Sequence, residues 1–128
     1  MFKKKNTVRK LFGPYSPIIK TDNLFFLSGQ IPVNATTGII PQGVNEQTTL
    51  ILENIYILLK KNKLKLKNIV KITIFTTKMD KLNEINLSYK KFFKKNNIRY
   101  PARSCIGVSQ LPKNVAIEIE AVASLSVE

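Results

Sequence analysis

Apolar and polar residues follow two different periods along this 128-residue chain, and the changes of period mark its elements. Ile18-Ile19 and Leu24 to Leu27 are short apolar runs on either side of Thr21-Asp22-Asn23, which predicts the two strands of a hairpin. Ser28-Gly29-Gln30 ends the second run, Ile31-Pro32-Val33 continues extended, and Gly13-Pro14 and Thr37-Gly38 read as turns. From Val44 to Lys61 the spacing becomes helical. Ile51, Leu52, Ile55, Leu58 and Leu59 form one face, and Glu46, Thr49, Glu53 and Lys60 the other. Val70 to Thr76 alternates with period two, placing Val70, Ile72 and Ile74 on one side and Lys71, Thr73 and Phe75 on the other. Leu82, Ile85, Tyr89, Phe92 and Phe93 predict a second amphipathic helix, capped by Asp80 and closed by Asn96-Asn97. A strand is expected from Arg103 to Val108, then a turn at Leu111-Pro112-Lys113-Asn114. The clearest strand runs from Val115 to Ala123, with Val115, Ile117, Ile119, Ala121 and Ala123 on one face and Ala116, Glu118, Glu120 and Val122 on the other.

The order is strand, strand, helix, strand, helix, strand, strand. Each helix has one apolar face, so both most simply cover one side of a mixed sheet, giving a two-layer α+β domain. The other sheet face carries Phe75 and Val122 among its polar residues, and a half-apolar open face in a small domain predicts an oligomer. Length allows one domain, expected over residues 11–128 behind a basic tail at 1–10. That tail carries Lys3, Lys4, Lys5, Arg9 and Lys10, but Gly13-Pro14 interrupts any apolar targeting segment after it. The longest apolar run is Ile55 to Leu59, far short of the roughly 20 residues that a membrane-crossing helix needs.

Composition removes several chemistries. There is no His and only one Cys, Cys105, so intramolecular disulfides, the common zinc ligand sets and any His-assisted nucleophile are excluded. Acid–base work falls to Asp, Glu, Tyr, Lys, Cys, backbone groups and water. A single free thiol fits a reducing compartment, the cytoplasm. The formal charge is +13, from 21 Lys and Arg against eight Asp and Glu. One reading is a polyanion binder. The plainer reading is codon bias with a solvated surface. Eighteen of the 21 are Lys, and Asn and Ile, which share AT-rich codons with Lys, are also abundant. Nonspecific RNA contact at low salt follows from either.

Four places offer chemistry. Arg103, just after Pro101 at a strand start, reads as a bidentate carboxylate binder or as one arm of a surface salt bridge. Glu118 and Glu120 share a strand face. Each is a general acid or base if partly enclosed, or a partner for lysine if not. Cys105 reads as a small packing residue more readily than as a nucleophile. Tyr15 offers a hydroxyl in its turn, and the Gly29 backbone N–H can approach an anion closely because no Cβ intervenes.

Taken together, Gly13-Pro14-Tyr15-Ser16, Ser28-Gly29-Gln30-Ile31-Pro32-Val33, Asn83 to Phe93 with Asn86 and Tyr89-x-x-Phe92-Phe93, Pro101-Ala102-Arg103-Ser104-Cys105, Leu111-Pro112-Lys113 and Ile117-Glu118-Ile119-Glu120-Ala121 resemble the Rid family of YjgF-type imine deaminases. The resemblance spans Gly13 to Ala123. It implies a homotrimer of the chorismate-mutase-like α+β fold with three sites between subunits. It also implies hydrolysis of reactive 2-imino and enamine acids, such as 2-aminoacrylate (with its tautomer 2-iminopropanoate) and 2-iminobutanoate, to 2-keto acids and ammonia, with no cofactor or metal. By position, Arg103 matches the arginine that holds the substrate carboxylate and Glu118 the acid that orients or activates water. Gly29 and Cys105 match positions whose backbone groups bind the ligand, and Tyr15, Ser28 and Asn86 match pocket-lining residues. Other relatives have been described as ribonucleases or translation inhibitors, which keeps an RNA-directed role as the alternative. A third reading is a ligand-sensing trimer without turnover; Arg103 and Glu118, both present, speak against it.

Overall fold

The computed structural model describes residues 13–127. The expected basic tail therefore lies outside the described residues. Seven principal elements follow one another: β1 (Ile18–Thr21), β2 (Leu24–Gln30), α1 (Val44–Lys61), β3 (Ile69–Thr76), α2 (Leu82–Lys95), β4 (Ala102–Gly107) and β5 (Ile117–Ser124). Short 3-10 turns at Leu66–Asn68, Met79–Lys81 and Pro112–Asn114 link them.

The strands form one mixed sheet in the order β1-β2-β5-β3-β4. The pairs β1/β2, β2/β5 and β5/β3 are antiparallel, and β3/β4 is parallel. Strands β2, β3 and β4 therefore all run the same way. Helix α1 returns the chain from β2 to β3, and α2 returns it from β3 to β4, so the two helices are parallel to each other. Both lie on one sheet face. Ile51, Leu52, Ile55 and Leu59 of α1 and Ile85, Phe92 and Phe93 of α2 meet Ile72, Ile74, Ile117, Ile119, Ala121 and Ala123 of the sheet in one core. Each fully buried Ile, Leu or Phe is worth roughly 1.5–3 kcal/mol over exposure. The alternation of β5 makes this possible, because every second residue from Ile117 to Ala123 reaches the helices.

Two expectations are corrected. Val70 does not share a face with Ile72 and Ile74. The register against β5 shifts between Ile69 and Lys71, so a bulge puts Ile69 into the core and turns Val70 out of phase. Asp80 does not cap α2, because it sits inside the 3-10 turn Met79–Lys81 and Lys81 occupies the cap position without a side-chain bond.

A buried polar clamp anchors the long connection between β2 and α1. Gln47 donates to the Pro41 carbonyl (2.8 Å) and accepts from the Ala116 amide (2.9 Å), tying loop, helix and the approach to β5 together. Asn54 donates to the Val33 carbonyl at 3.0 Å. Thr76 donates to the Ala116 carbonyl at 2.8 Å. Gln47, Asn54 and Thr76 are themselves buried, so these bonds satisfy their side-chain polar groups and tie down half-buried backbone at the same time.

Candidate active site

The seven residues singled out from the sequence fall into two groups, one where β2 meets the central strand β5 and one at the β4 edge of the sheet. The first group surrounds the end of β2. The register between Leu27 and Gln30 contains a bulge against β5, and Ser28 and Gly29 sit in it. The Ser28 hydroxyl donates to the Ser16 carbonyl (2.6 Å) and the Ser28 amide to the Pro17 carbonyl (3.0 Å). Those bonds hold the segment that carries Tyr15 beside the bulge, and the Tyr15 ring is exposed. Gly29 faces the Glu118 carboxylate. A Cβ built on Gly29 would collide with that carboxylate and stand 2.8 Å from its Cδ, so glycine is what allows the close approach.

Glu118 is half-buried on the sheet face opposite the helices, and no cation pairs with it among the described residues. The lysine pairing that the sequence allowed is not formed. Burial pushes its carboxyl above the usual range, and the like charge of Glu120 on the same strand face pushes it further. A carboxyl so placed is readier to carry a proton near neutral pH than an ordinary glutamate.

The second group lies at the β4 edge. In the parallel pairing with β3, Arg103 stands opposite Ile72 and Cys105 opposite Ile74, so both turn toward the helix layer. Arg103 makes no ion pair or hydrogen bond among the described residues; the surface salt bridge is absent. Its guanidinium carbon lies 4.9 Å from the centroid of the Tyr89 ring. Cys105 is half-buried against the core, and burial raises its thiol pKa while Arg103 opposes the shift. A raised pKa means less thiolate at neutral pH, which supports packing over nucleophilic attack. Asn86, on the same helix as Tyr89, has a buried Oδ1 with no hydrogen-bond partner.

Within one chain the groups do not meet. Arg103 aligns through Ile72 with Ala121, whereas Glu118 aligns through Phe75 with Ile106, so the two residues differ in level and in sheet face. The contact that sequence reasoning missed is the one between Arg103 and Tyr89, a residue that reads there as part of the core stripe and of the Tyr89-x-x-Phe92-Phe93 piece and not as a neighbour of Arg103. The signal at Tyr89 is a hydroxyl-bearing ring in a stripe otherwise built of Leu, Ile and Phe. No cluster of three His, Cys, Asp or Glu capable of holding a metal ion occurs among the described residues. Nor is any described helix long and apolar enough to cross a membrane.

A two-layer α+β domain of the chorismate-mutase-like fold, bearing an unneutralised arginine on its β4 edge and, on the central strand β5, a glutamate whose carboxyl is held above the usual range by burial, defines the class. The family model for Endoribonuclease L-PSP, the YjgF/RutC proteins, matches residues 7–125, and the chain belongs to this family. A RutC family protein of Buchnera aphidicola subsp. Acyrthosiphon pisum is 52% identical over 114 residues, covering 89% of each chain. The 2-iminobutanoate/2-iminopropanoate deaminase of Escherichia coli strain K12 is 41% identical over 111 residues, covering 87% of each. Among solved structures, E. coli TdcF with bound serine superposes with a TM-score of 0.89 at 41% identity, over 92% of this chain and 93% of that one. The E. coli YjgF product superposes with a TM-score of 0.88 at 38% identity, over 91% and 92%.

Proposed function

We propose that the protein hydrolyses small 2-imino acids and their enamine tautomers to 2-keto acids and ammonia. The observation that carries this reading is Arg103, a guanidinium left without a carboxylate at a half-buried strand edge. Such a cation is open to the carboxylate of a ligand through two parallel hydrogen bonds. The E. coli deaminase at 41% identity supports the choice of ligand.

The chemistry needs only water. Arg103 anchors the α-carboxylate, which fixes the imine carbon in front of one water molecule. Water adds to the carbon, the C–N bond breaks, and the keto acid and ammonia leave. Glu118 takes a proton from the water and returns one to the departing nitrogen, a task suited to a carboxyl with a raised pKa. Tyr15, Ser28, Gly29, Asn86 and the backbone at Cys105 line the substrate's surroundings in this reading.

Arg103 and Glu118 stand on different faces of one chain, so the site is completed between copies in a homotrimer. The open sheet face supports this. It presents Ile19, Leu24, Phe26 and Ile106 as exposed apolar side chains, with Phe75 and Val122 among them. The free thiol accords with a cytoplasmic setting.

The test generates imines in situ with an amino-acid oxidase and lets semicarbazide compete for them. Wild type is expected to release keto acid faster than the trap captures imine, and Arg103→Ala is not. Equal inactivity of both proteins across several small imino acids would sink the reading.

A second reading, RNA contact, is favoured by one observation. Because the helices are parallel, their C-termini gather Lys60, Lys61, Lys63, Lys65, Lys67, Lys94, Lys95 and Arg99, all exposed, at one end of the molecule. RNA retention that falls steeply with salt, survives Arg103→Ala and is lost when Lys94, Lys95 and Arg99 are replaced by Gln would assign it to this end.

A further inference from the structure

We infer that Tyr89 is a positioning residue whose ring holds the Arg103 guanidinium ready for the substrate carboxylate. This rests on the reading of Arg103 given above and adds how that arginine is held.

An arginine side chain is long and loses much freedom when fixed. Preorganised binding therefore needs something to hold it. A neighbouring carboxylate would do so, but it would also neutralise the guanidinium and compete with the ligand. Arg103 has no such neighbour among the described residues. It has the face of an aromatic ring, 4.9 Å from the guanidinium carbon to the centroid. The attraction of a cation to a ring face leaves the charge uncancelled.

The ring itself is immobilised. Tyr89 is 4% exposed. It packs on Phe93 at 4.7 Å between centroids and on Tyr100 at 6.2 Å, and Phe93 and Tyr100 meet edge to face at 6.0 Å. Phe93 is in turn braced by Phe92. Helix α2 thus supplies a bracket of rings, and Tyr100, just before β4, closes it beside the strand that carries Arg103. The Tyr89 hydroxyl is buried and has no hydrogen-bond partner, so no bond of the fold depends on it. The working part is the ring.

The experiment measures binding of 2-oxobutanoate, a stable carboxylate of the product class, by NMR titration of the full-length protein. Wild type is expected to bind and Arg103→Ala to lose most of the affinity. Tyr89→Phe keeps the ring and is expected to stay within about 2-fold of wild type. Tyr89→Leu removes the ring and is expected to weaken binding roughly 2- to 30-fold. The decisive arm is the double variant: Tyr89→Leu should add nothing in the Arg103→Ala background. An equal loss in both backgrounds means a merely structural role and overturns the inference, as does wild-type affinity in Tyr89→Leu. A loss in Tyr89→Phe overturns it in favour of a hydroxyl contact with the ligand. Should Tyr89→Leu fail to fold, fluorinated phenylalanines at position 89 keep the shape and drain the ring face. Affinity should then fall stepwise with fluorination, and a flat series overturns the inference. If wild type and Arg103→Ala bind alike or not at all, the carboxylate role of Arg103 fails first and takes the inference with it. If Arg103→Ala alone weakens binding, only the role of Tyr89 fails.

Discussion

Arg103 and Glu118 show how one side chain's surroundings decide its chemistry. Lysine in place of Arg103 would keep the charge and lose the planar fork. Arg103→Lys is therefore expected to lower kcat/KM for imine hydrolysis roughly 10- to 100-fold, measured as keto-acid release. Glu118 is held above the ordinary carboxylate range first by burial and then by Glu120. Replacing the second cause, Glu120→Gln, should lower the Glu118 pKa and move the acid limb of the pH–rate profile to lower pH. The same shift has a stability sign. A carboxyl whose folded pKa is raised favours the folded state below its unfolded pKa. That advantage is lost as pH rises through the folded pKa. At neutral pH the buried carboxylate is a burden, so Glu118→Gln should unfold at a higher temperature than wild type at pH 7. The difference should vanish near pH 4, read by thermal unfolding at the two pH values. That outcome would fit a residue retained for the proposed chemistry at the expense of stability.

Elements place these residues, and one buried glutamine holds several elements at once. Gln47 ties Pro41 of the loop and Ala116 at the approach to β5 to the first turns of α1. Gln47→Leu would keep the volume and strand one donor and one acceptor, each costing about 1–3 kcal/mol. Urea unfolding should show that loss in the midpoint with an unchanged slope. The bulges act in the opposite direction by breaking regularity where it matters. The one at Ser28 and Gly29 re-aims the end of β2 toward Glu118, and the one beside Val70 brings Ile69 into the core.

Over the whole molecule, the open sheet face and the charge distribution make the remaining predictions. Phe26 is 44% exposed on a face that also shows Ile19, Leu24 and Ile106. Phe26→Lys would place a charge where a second copy is proposed to dock. The variant is expected to sediment as a 14.5 kDa monomer and to lose turnover with its structure intact by circular dichroism. The basic end lies near the start of β4, where Arg103 sits, and the proposed substrate is an anion. Attraction over that distance is screened by salt, so kcat/KM should fall as ionic strength rises while kcat at saturation holds.

Both helices, the helix-facing side of β5 and the two-layer plan were legible in the sequence, because periodicity is local and one buried face imposes it over many residues. Arg103 was legible as a charge at a strand start just after Pro101, and the acids of β5 as charges on a strand otherwise built of Ile, Val and Ala. Val70 and Asp80 were misread because a bulge and a 3-10 turn depend on pairing and packing that no short window contains. Only the tertiary structure decided which partners Arg103 and Glu118 have. It set the arginine on the Tyr89 ring rather than on a carboxylate, and left the glutamate among backbone and like charge rather than on a lysine. Residue type sets what a side chain is able to do. Its protonation and its freedom are set by neighbours that are distant in sequence, brought close when burial of the apolar faces closes the fold.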